Sequence, residues 1–303
     1  MANNDLIGDV QNEKPSLSLK IDKIGVKGVR RRISLCTSTQ TLSYDVELNA
    51  FIDLPKNQRG AHMSRIIEAI LEAIDNGRKK HFKNLQELLE AACKTLLSKN
   101  PYANKAEIEM KTIHYFGTYL NFIKEKIPEA VDVTLIVSMQ RDCEATWSTS
   151  ISMEGMTVCP CAQAVYSALE QTDTENGLSH TQRAKISVKV KTNGMPIPVE
   201  WLVEATANAF SAPTLSLLKR RQEYELIKAA FKNPRFIEDA IRQVLFQTAS
   251  RLRSEGFPLS TEITVKAESY ESVHPFNAYA SVKTTLAHVL GELDLKDRDK
   301  ILS

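Results

Sequence analysis

The chain has 303 residues, 43% of them hydrophobic and 25% charged, with a formal net charge of +2. That composition suits a globular protein of one large or two ordinary domains with a real core. Near-neutral charge and dispersed basic residues remove any electrostatic case for a nucleic-acid or membrane partner, and five cysteines, an odd number, argue against a secreted disulfide framework and for a reducing compartment.

Residues 1–15 carry neither a basic stretch nor an apolar one, so no secretory leader is expected. No apolar run approaches the roughly 20 residues that cross a bilayer. The expectation is a soluble, cytoplasmic protein. Strict alternation at Tyr44/Val46/Leu48 predicts a first strand with one wet face. Two helices follow: Arg65 to Asn76, with Ile66, Ile67, Ile70, Leu71 and Ile74 on one stripe, then a second carrying Leu85, Leu88, Leu89, Ala92 and Leu96. Further alternation occurs at Ile108/Met110, at Val131/Val133/Leu135/Val137, and at Ala184/Ile186/Val188/Val190, the last interleaved with Lys185, Ser187, Lys189 and Lys191. Helical spacing returns over Val199 to Phe210, and Asn233-Pro234 reads as an N-cap with proline at the first helical position, opening a stripe of Ile237, Ile241, Val244, Leu245 and Leu252. Ile263/Val265/Ala267 close the series with a short strand.

Half-wet strands suit antiparallel sheets, and the order predicts an α+β protein of two modules, 1–140 and 141–303, joined near residues 140 to 150. A Gln-Arg pair shared by Asn57 to His62 and His180 to Ala184 hints at duplication without proving it.

The densest chemistry lies in the second half. Cys159-Pro160-Cys161 is too tight for a Cys-x-x-Cys zinc knuckle, and a disulfide between its thiols is strained. One thiol as metal ligand or nucleophile and the other as packing is the better reading. With Cys161, His180, Glu223, Glu238 and His274, Cys159 makes a candidate set for a transition metal with an open position. Each alone has a bland alternative: a lone cysteine is more often core, a lone histidine more often surface or satisfied core, and Glu238 suits the first turn of a helix.

Five runs of sequence change that weighing. They are Gly155 to Gln163, Ser179 to Arg183, Pro213 to Glu223, Asn233 to Asp239 and Glu271 to Ala280, joined by Asp9 to Pro15 and by His62-Met63-Ser64-Arg65. In this order they resemble the type IB GTP cyclohydrolase family over nearly the whole chain. The wording Gly-Met-Thr-Val-Cys-Pro-Cys-Ala-Gln at residues 155–163 is similar to the archaeal branch of that family. The resemblance implies an iron(II)-dependent enzyme, with zinc or manganese as alternatives, that opens the guanine of GTP at C8, releases formate and yields 7,8-dihydroneopterin 2′,3′-cyclic phosphate for a tetrahydromethanopterin-type cofactor. The bacterial branch keeps the triphosphate, and a non-catalytic purine- or metal-binding protein of the same fold is a further alternative. A related enzyme using its cysteine as a covalent nucleophile is another.

By the same resemblance Cys159 is metal ligand and catalytic thiol, His180 and Glu223 complete the ligand set, and a fourth position is left for water. Glu238 resembles the family's purine-anchoring glutamate: a carboxylate matches guanine N1–H and the 2-amino group with two parallel hydrogen bonds. His274 serves as proton donor or acceptor at the ring or as a fourth ligand, and His62, Arg65, Arg183, Lys219 and Arg220 are candidates for the phosphate chain. The implied architecture is the tunnelling fold, antiparallel sheets from several subunits closing a barrel. It carries a homo-oligomer, dimer or tetramer, with active sites at subunit borders where His62 and Arg65 serve a neighbour's site.

Overall fold

A computed structural model describes residues 8–36, 41–80, 82, 84–117, 128–173 and 177–293, so the reading of residues 1–7 lies outside the described residues. The elements run β1 (Ile21–Cys36), β2 (Thr41–Leu54), α1 (Met63–Lys80), α2 (Leu85–Lys99), β3 (Lys105–Gly117), β4 (Pro128–Gln140), β5 (Thr146–Val158), α3 (Pro160–Glu170), β6 (Thr181–Asn193), α4 (Val199–Ala207), β7 (Ala212–Pro213), α5 (Arg220–Phe231), α6 (Ile237–Ser254), β8 (Glu262–Ser269), β9 (Ala278–Thr285) and α7 (Leu286–Glu292). Two long strands, helices and two further strands thus occur twice in succession.

The strand order in the sheet is β1-β2-β3-β4-β5-β6-β8-β9, with β7 beside β5. The pairs β1/β2, β2/β3, β5/β7, β6/β8 and β8/β9 are antiparallel. The fold is α+β, with helices on one face of antiparallel strands, as the half-wet alternation predicts. Two compact units emerge, Met1–Thr112 with Thr134–Ser148 and Asn193–Pro196, and Ile113–Val133 with Thr149–Thr192 and Ile197–Ser303.

In the first unit the stripe of α1 and α2 buries Ile66, Ile70, Leu88, Leu89 and Leu96, while Leu48, Ile52, Ile108 and Met110 are buried from the strands. Asn84 caps α2 by accepting from the Glu87 N–H at 2.9 Å. β1 bends at two register shifts, between Ile21 and Ile24 and between Val26 and Val29. Gly25 passes so close to β2 that a Cβ there would lie 1.9 Å from the Ala50 carbonyl oxygen, and Gly28 takes φ +72° while donating to the buried Asn49 side chain at 2.8 Å.

In the second unit β6 and β8 turn Ile186, Val188, Ile263 and Val265 inward, toward the side where α6 buries Val244, Ala249 and Leu252 and packs on β8 and β9. The opposite side of these strands carries Lys185, Lys189, Lys266 and Lys283. The helix expected to start at Asn233-Pro234 starts instead at Ile237, after the N-cap residue Phe236. The Asn233 side chain does not cap it: its Nδ2 donates to the carbonyls of Phe210 and Ser211 at 3.2 and 3.3 Å, and the Arg235 N–H donates to Val158 O at 3.0 Å. Those bonds hold residues 233–236 in non-helical backbone against the end of β5.

Candidate active site

The last residues of β5 are the point to which the second unit's chemistry is tied. Val158 is fully buried and packs with Ala212, Leu226 and Ala230, fastening α5 beside the strand end. The Val158 N–H donates to Ser211 Oγ at 3.1 Å, and its carbonyl takes the Arg235 N–H. Cys159 follows as the N-cap of α3, with Pro160 at the first helical position, where its missing N–H costs nothing. The Cys159 Sγ accepts from the Ala162 N–H at 3.5 Å. Its N–H donates to the His180 carbonyl at 3.2 Å, and Ser179 Oγ donates to its carbonyl at 2.6 Å. Thiol and imidazole, twenty-one residues apart in sequence, therefore sit on adjoining backbone.

His180 is half-buried, and its Nδ1–H donates to Gln182 Oε1 at 2.9 Å, with Ser272 Oγ at 3.4 Å from the same nitrogen. A carbonyl partner at Nδ1 fixes the tautomer in which Nε2 keeps its lone pair, the arrangement in which imidazole serves as a ligand. Ser272 lies on the segment after β8, which also carries His274. The exposed His274 ring stacks on Phe276, with centroids 5.1 Å apart and planes 4° apart.

Glu223 lies in the first turn of α5, one turn before Leu226, and Glu238 in the first turn of α6, three residues after Arg235. Both are exposed, and their carboxylates have no hydrogen-bond or ion-pair partner among the described residues. Lys219 and Arg220, at the N-terminus of α5, are exposed as well. Arg183 is exposed on β6 and paired with Glu154. Cys161 does not take the expected packing role. With Cys159 as cap and Pro160 at the first helical position, residue 161 points outward, and its thiol is exposed. Burial falls to Cys93 instead, whose thiol desolvation pushes up to about 12, so it is an inert core residue.

His62 and Arg65 belong to the first unit. His62 Nε2 lies 3.0 Å from each Asp9 carboxylate oxygen, and its Nδ1 is 3.4 Å from Tyr102 Oη. The N-terminal strap that brings Asp9 there is held by two backbone bonds, Arg59 N–H to Glu13 O and Gly60 N–H to Gln11 O. The Gln58 amide adds bonds to Gln11 O and Asn12 Oδ1, and Arg59 pairs with Glu13.

Among the described residues no three His, Cys, Asp or Glu side chains converge as a ready metal cage. Two donors, Cys159 and His180, share adjoining backbone, while Glu223 stands on the helix fastened beside them. A cavity of about 910 Å³ opens in the second unit among His114, Asp132, Met153, Glu200 and Phe210, but none of the site residues predicted from sequence lines it.

Sequence reasoning left several supporting residues without a role. Gln163, 1% exposed, donates from Nε2 to Phe231 O at 2.9 Å and Gly177 O at 3.3 Å, tying α3 to the end of α5. The Gly177 approach admits no side chain: a Cβ would lie 2.2 Å from Ser167 Oγ. Gln163 closes the Cys-Pro-Cys-Ala-Gln run, so the sequence does mark it; Asp9, Gln182 and Ser272 act through contacts that no local pattern reveals.

Comparison with solved structures gives the same fold at very low identity. The uricase of Arthrobacter globiformis superposes with a TM-score of 0.51 at 10% identity, over 87% of this chain and 92% of that one. A uricase from Bacillus fastidious gives 0.50 at 9%, over 90% and 96%. These matches bear out the tunnelling-fold architecture and nothing further. Among curated relatives, proteins named GTP cyclohydrolase MptA match from Aeropyrum pernix, at 36% identity over 93% of this chain and 97% of that protein. Those from Thermoplasma acidophilum match at 31% over 91% and 95%, and from Methanobrevibacter smithii at 30% over 94% and 97%. The family model described as type I GTP cyclohydrolase folE2 matches residues 7–280, and the chain belongs to that family of enzymes.

Proposed function

We propose that this protein hydrolyses GTP at guanine C8, releases formate and yields 7,8-dihydroneopterin 2′,3′-cyclic phosphate in pterin cofactor biosynthesis. The observation that carries this reading is the knot at the end of β5. There the Cys159 backbone is bonded to His180, within a family whose curated relatives are named GTP cyclohydrolase MptA.

The reading implies a transition metal, ferrous iron. Its donor chemistry fits the residues present: a cysteine sulfur, an imidazole whose Nε2 has no partner among the described residues, and an unpaired carboxylate. Cys159, His180 and Glu223 would hold it. When bound, such an ion lowers the pKa of a water molecule, which makes hydroxide available for attack on an aromatic carbon.

The remaining work falls to the chain itself. Glu238 accepts hydrogen bonds from guanine N1–H and the 2-amino group, a pair adenine lacks, so the purine is selected. His274 gives a proton to the ring nitrogen as its bond to C8 breaks. A second water then releases formate, and the ribose rearranges before the ring closes onto the pyrimidine amines. Formation of the cyclic phosphate needs a ribose hydroxyl to displace pyrophosphate. Lys219, Arg220 and Arg183 offer charge to the phosphate chain. The chain assembles as a homo-oligomer, dimer or tetramer, with sites at subunit borders to which a neighbour adds Arg65, while His62, with both ring nitrogens engaged, holds the strap beside it. The exposure of Glu223, Glu238 and His274 supports this, since a site completed by another copy leaves its side chains open in one chain.

Anaerobic incubation of the purified protein with GTP and iron(II), followed by mass analysis of the pterin, tests the proposal. A cyclic monophosphate is expected. A triphosphate moves the protein to the other branch of the family, and absence of formate removes the activity.

A further inference from the structure

The side of β6, β8 and β9 away from α6 carries an excess of positive charge of which the site above uses only Arg183. Strand register fixes its layout. Lys189 faces Thr264, which faces Lys283; in the adjoining row Ser187 faces Lys266, which faces Ser281. Arg183, Lys185 and Lys191 extend the same side of β6, giving six cations against two carboxylates, Glu262 and Glu268, on these three strands.

The carboxylates are already engaged. Glu262 is shared by Lys191 at 3.2 Å and Lys283 at 3.5 Å, and Glu268 accepts from the Asn277 amide at 2.9 Å. Arg183 takes Glu154 from β5. Lys189 and Lys266, both exposed, are left with no partner among the described residues. They are diagonal neighbours on adjacent strands, within about 8 Å at the backbone, where like charges repel. Keeping a sheet edge from pairing with other chains is a common use of lysines, and it would account for Lys283 on β9, the last strand in the sheet order. It does not account for Lys189 on β6 or Lys266 on β8, neither of which is an edge.

A like-charged pair flanked by the hydroxyls of Thr264 and Ser281 suits one class of ligand: an oxyanion of high charge density. Ammonium groups on flexible stems act as point charges rather than shape readers, so such a surface captures a phosphate chain without selecting what is attached to it. We propose that this face is an encounter surface for polyphosphate anions. It draws a nucleoside triphosphate to the protein and speeds its arrival without taking part in turnover. The identity of that nucleotide rests on the GTP reading above; the binding of the phosphate chain does not.

The test compares the full-length protein with the double variants Lys189→Ala/Lys266→Ala and Lys189→Arg/Lys266→Arg. Inorganic tripolyphosphate is titrated into each by calorimetry, and kcat/KM for GTP is measured from low to high salt. Wild type is expected to bind tripolyphosphate and to lose kcat/KM steeply with ionic strength. The alanine pair should bind tripolyphosphate more weakly, lose roughly 10-fold in kcat/KM at low salt and show a flattened salt dependence, with kcat unchanged. The arginine pair should behave as wild type. An alanine pair with wild-type tripolyphosphate binding and salt dependence overturns the inference, and so does an arginine pair that fails as badly as the alanine pair, since charge would then not be the agent. If no variant releases formate from GTP, the GTP reading fails, while the tripolyphosphate titration still decides the face.

Discussion

His180 and His62 are both half-buried imidazoles, and the chain treats them in opposite ways. His62 has each nitrogen engaged, Nε2 by the two oxygens of Asp9 and Nδ1 by Tyr102. His180 has its Nδ1 anchored to Gln182 and Ser272, while its Nε2 has no partner among the described residues. An imidazole with one anchored nitrogen is oriented and still has a lone pair to give; one with both nitrogens taken acts as a clasp. Burial alone does not separate these roles. The partners do: His180 keeps Nε2 without a partner among the described residues, as its proposed ligand role requires, while the His62 ring holds the N-terminal strap over the loop at residues 55–62.

The comparison breaks if the two histidines respond alike to removal. His180→Ala and Cys159→Ala should each abolish both retention of iron and release of formate, the largest effects expected. His62→Ala should retain its iron. Metal content by elemental analysis and formate by enzymatic assay read this directly, and an iron-free His62→Ala protein would reverse the assignment.

Glu238 sharpens the picture from the substrate side. Its carboxylate is exposed and unpaired, so Glu238→Gln should leave the melting temperature where it is, yet on the proposed reading it turns a donor toward guanine N1–H or the 2-amino group where an acceptor is needed. Hydrogen bonds to a charged group contribute about 1.5–3 kcal/mol each, so a loss of about 100-fold in kcat/KM is expected. A variant with wild-type kcat/KM would show that the carboxylate merely sits in the first turn of α6. Gln182→Leu probes the anchoring of His180 and should weaken iron affinity by roughly 10–100-fold while leaving Cys159 in place. Titration of iron into the metal-free variant measures it.

How far the sequence carried the fold depends on what each strand does with its inward positions. β4, β6 and β8 place Val, Ile, Leu or Ala at every second residue and were legible. β5 buries Thr149, Gly155 and Thr157 among its inward residues, so its apolar period is diluted although its burial alternates. β1 is broken by its two register shifts and by the Arg30-Arg31-Arg32 run, and β9 turns only Ala278, Ala280 and Val282 toward the helices before its final threonines. The start of α6 was misread because Asn233-Pro234 has the composition of a cap, while its bonds go to Phe210 and Ser211, partners no local pattern contains. The site follows the same rule. Motif wording singles out Cys159, His180, Glu223 and Glu238 as candidates, whereas the pairings around them, Gln182 and Ser272 on His180 and Gln163 on Phe231, come from chain crossings.

The clasp at His62 makes the smallest prediction and the one with a definite direction in pH. The hydrogen bond with His62 is the main cause that holds the Asp9 carboxyl below its ordinary value of 3.8; desolvation opposes it, and the charge of His62, the Asn12 N–H and the charge of Arg65 add smaller help. A carboxylate whose folded value is depressed adds stability that is present above its unfolded value and is lost as pH falls through the folded one. The strap should therefore loosen only in acid, below pH 3.8, and stay closed through neutrality. The amides of Arg59 and Gly60, which donate to Glu13 O and Gln11 O, report it. Their hydrogen-exchange protection, corrected for intrinsic rates, should drop in acid before that of the α1 and α2 amides. Asp9→Asn should lower that protection at neutral pH and flatten its acid dependence. If the asparagine variant traces the wild-type profile, the strap is held by its backbone bonds, the Gln58 amide and the Glu13–Arg59 pair, and the clasp contributes nothing that exchange can detect.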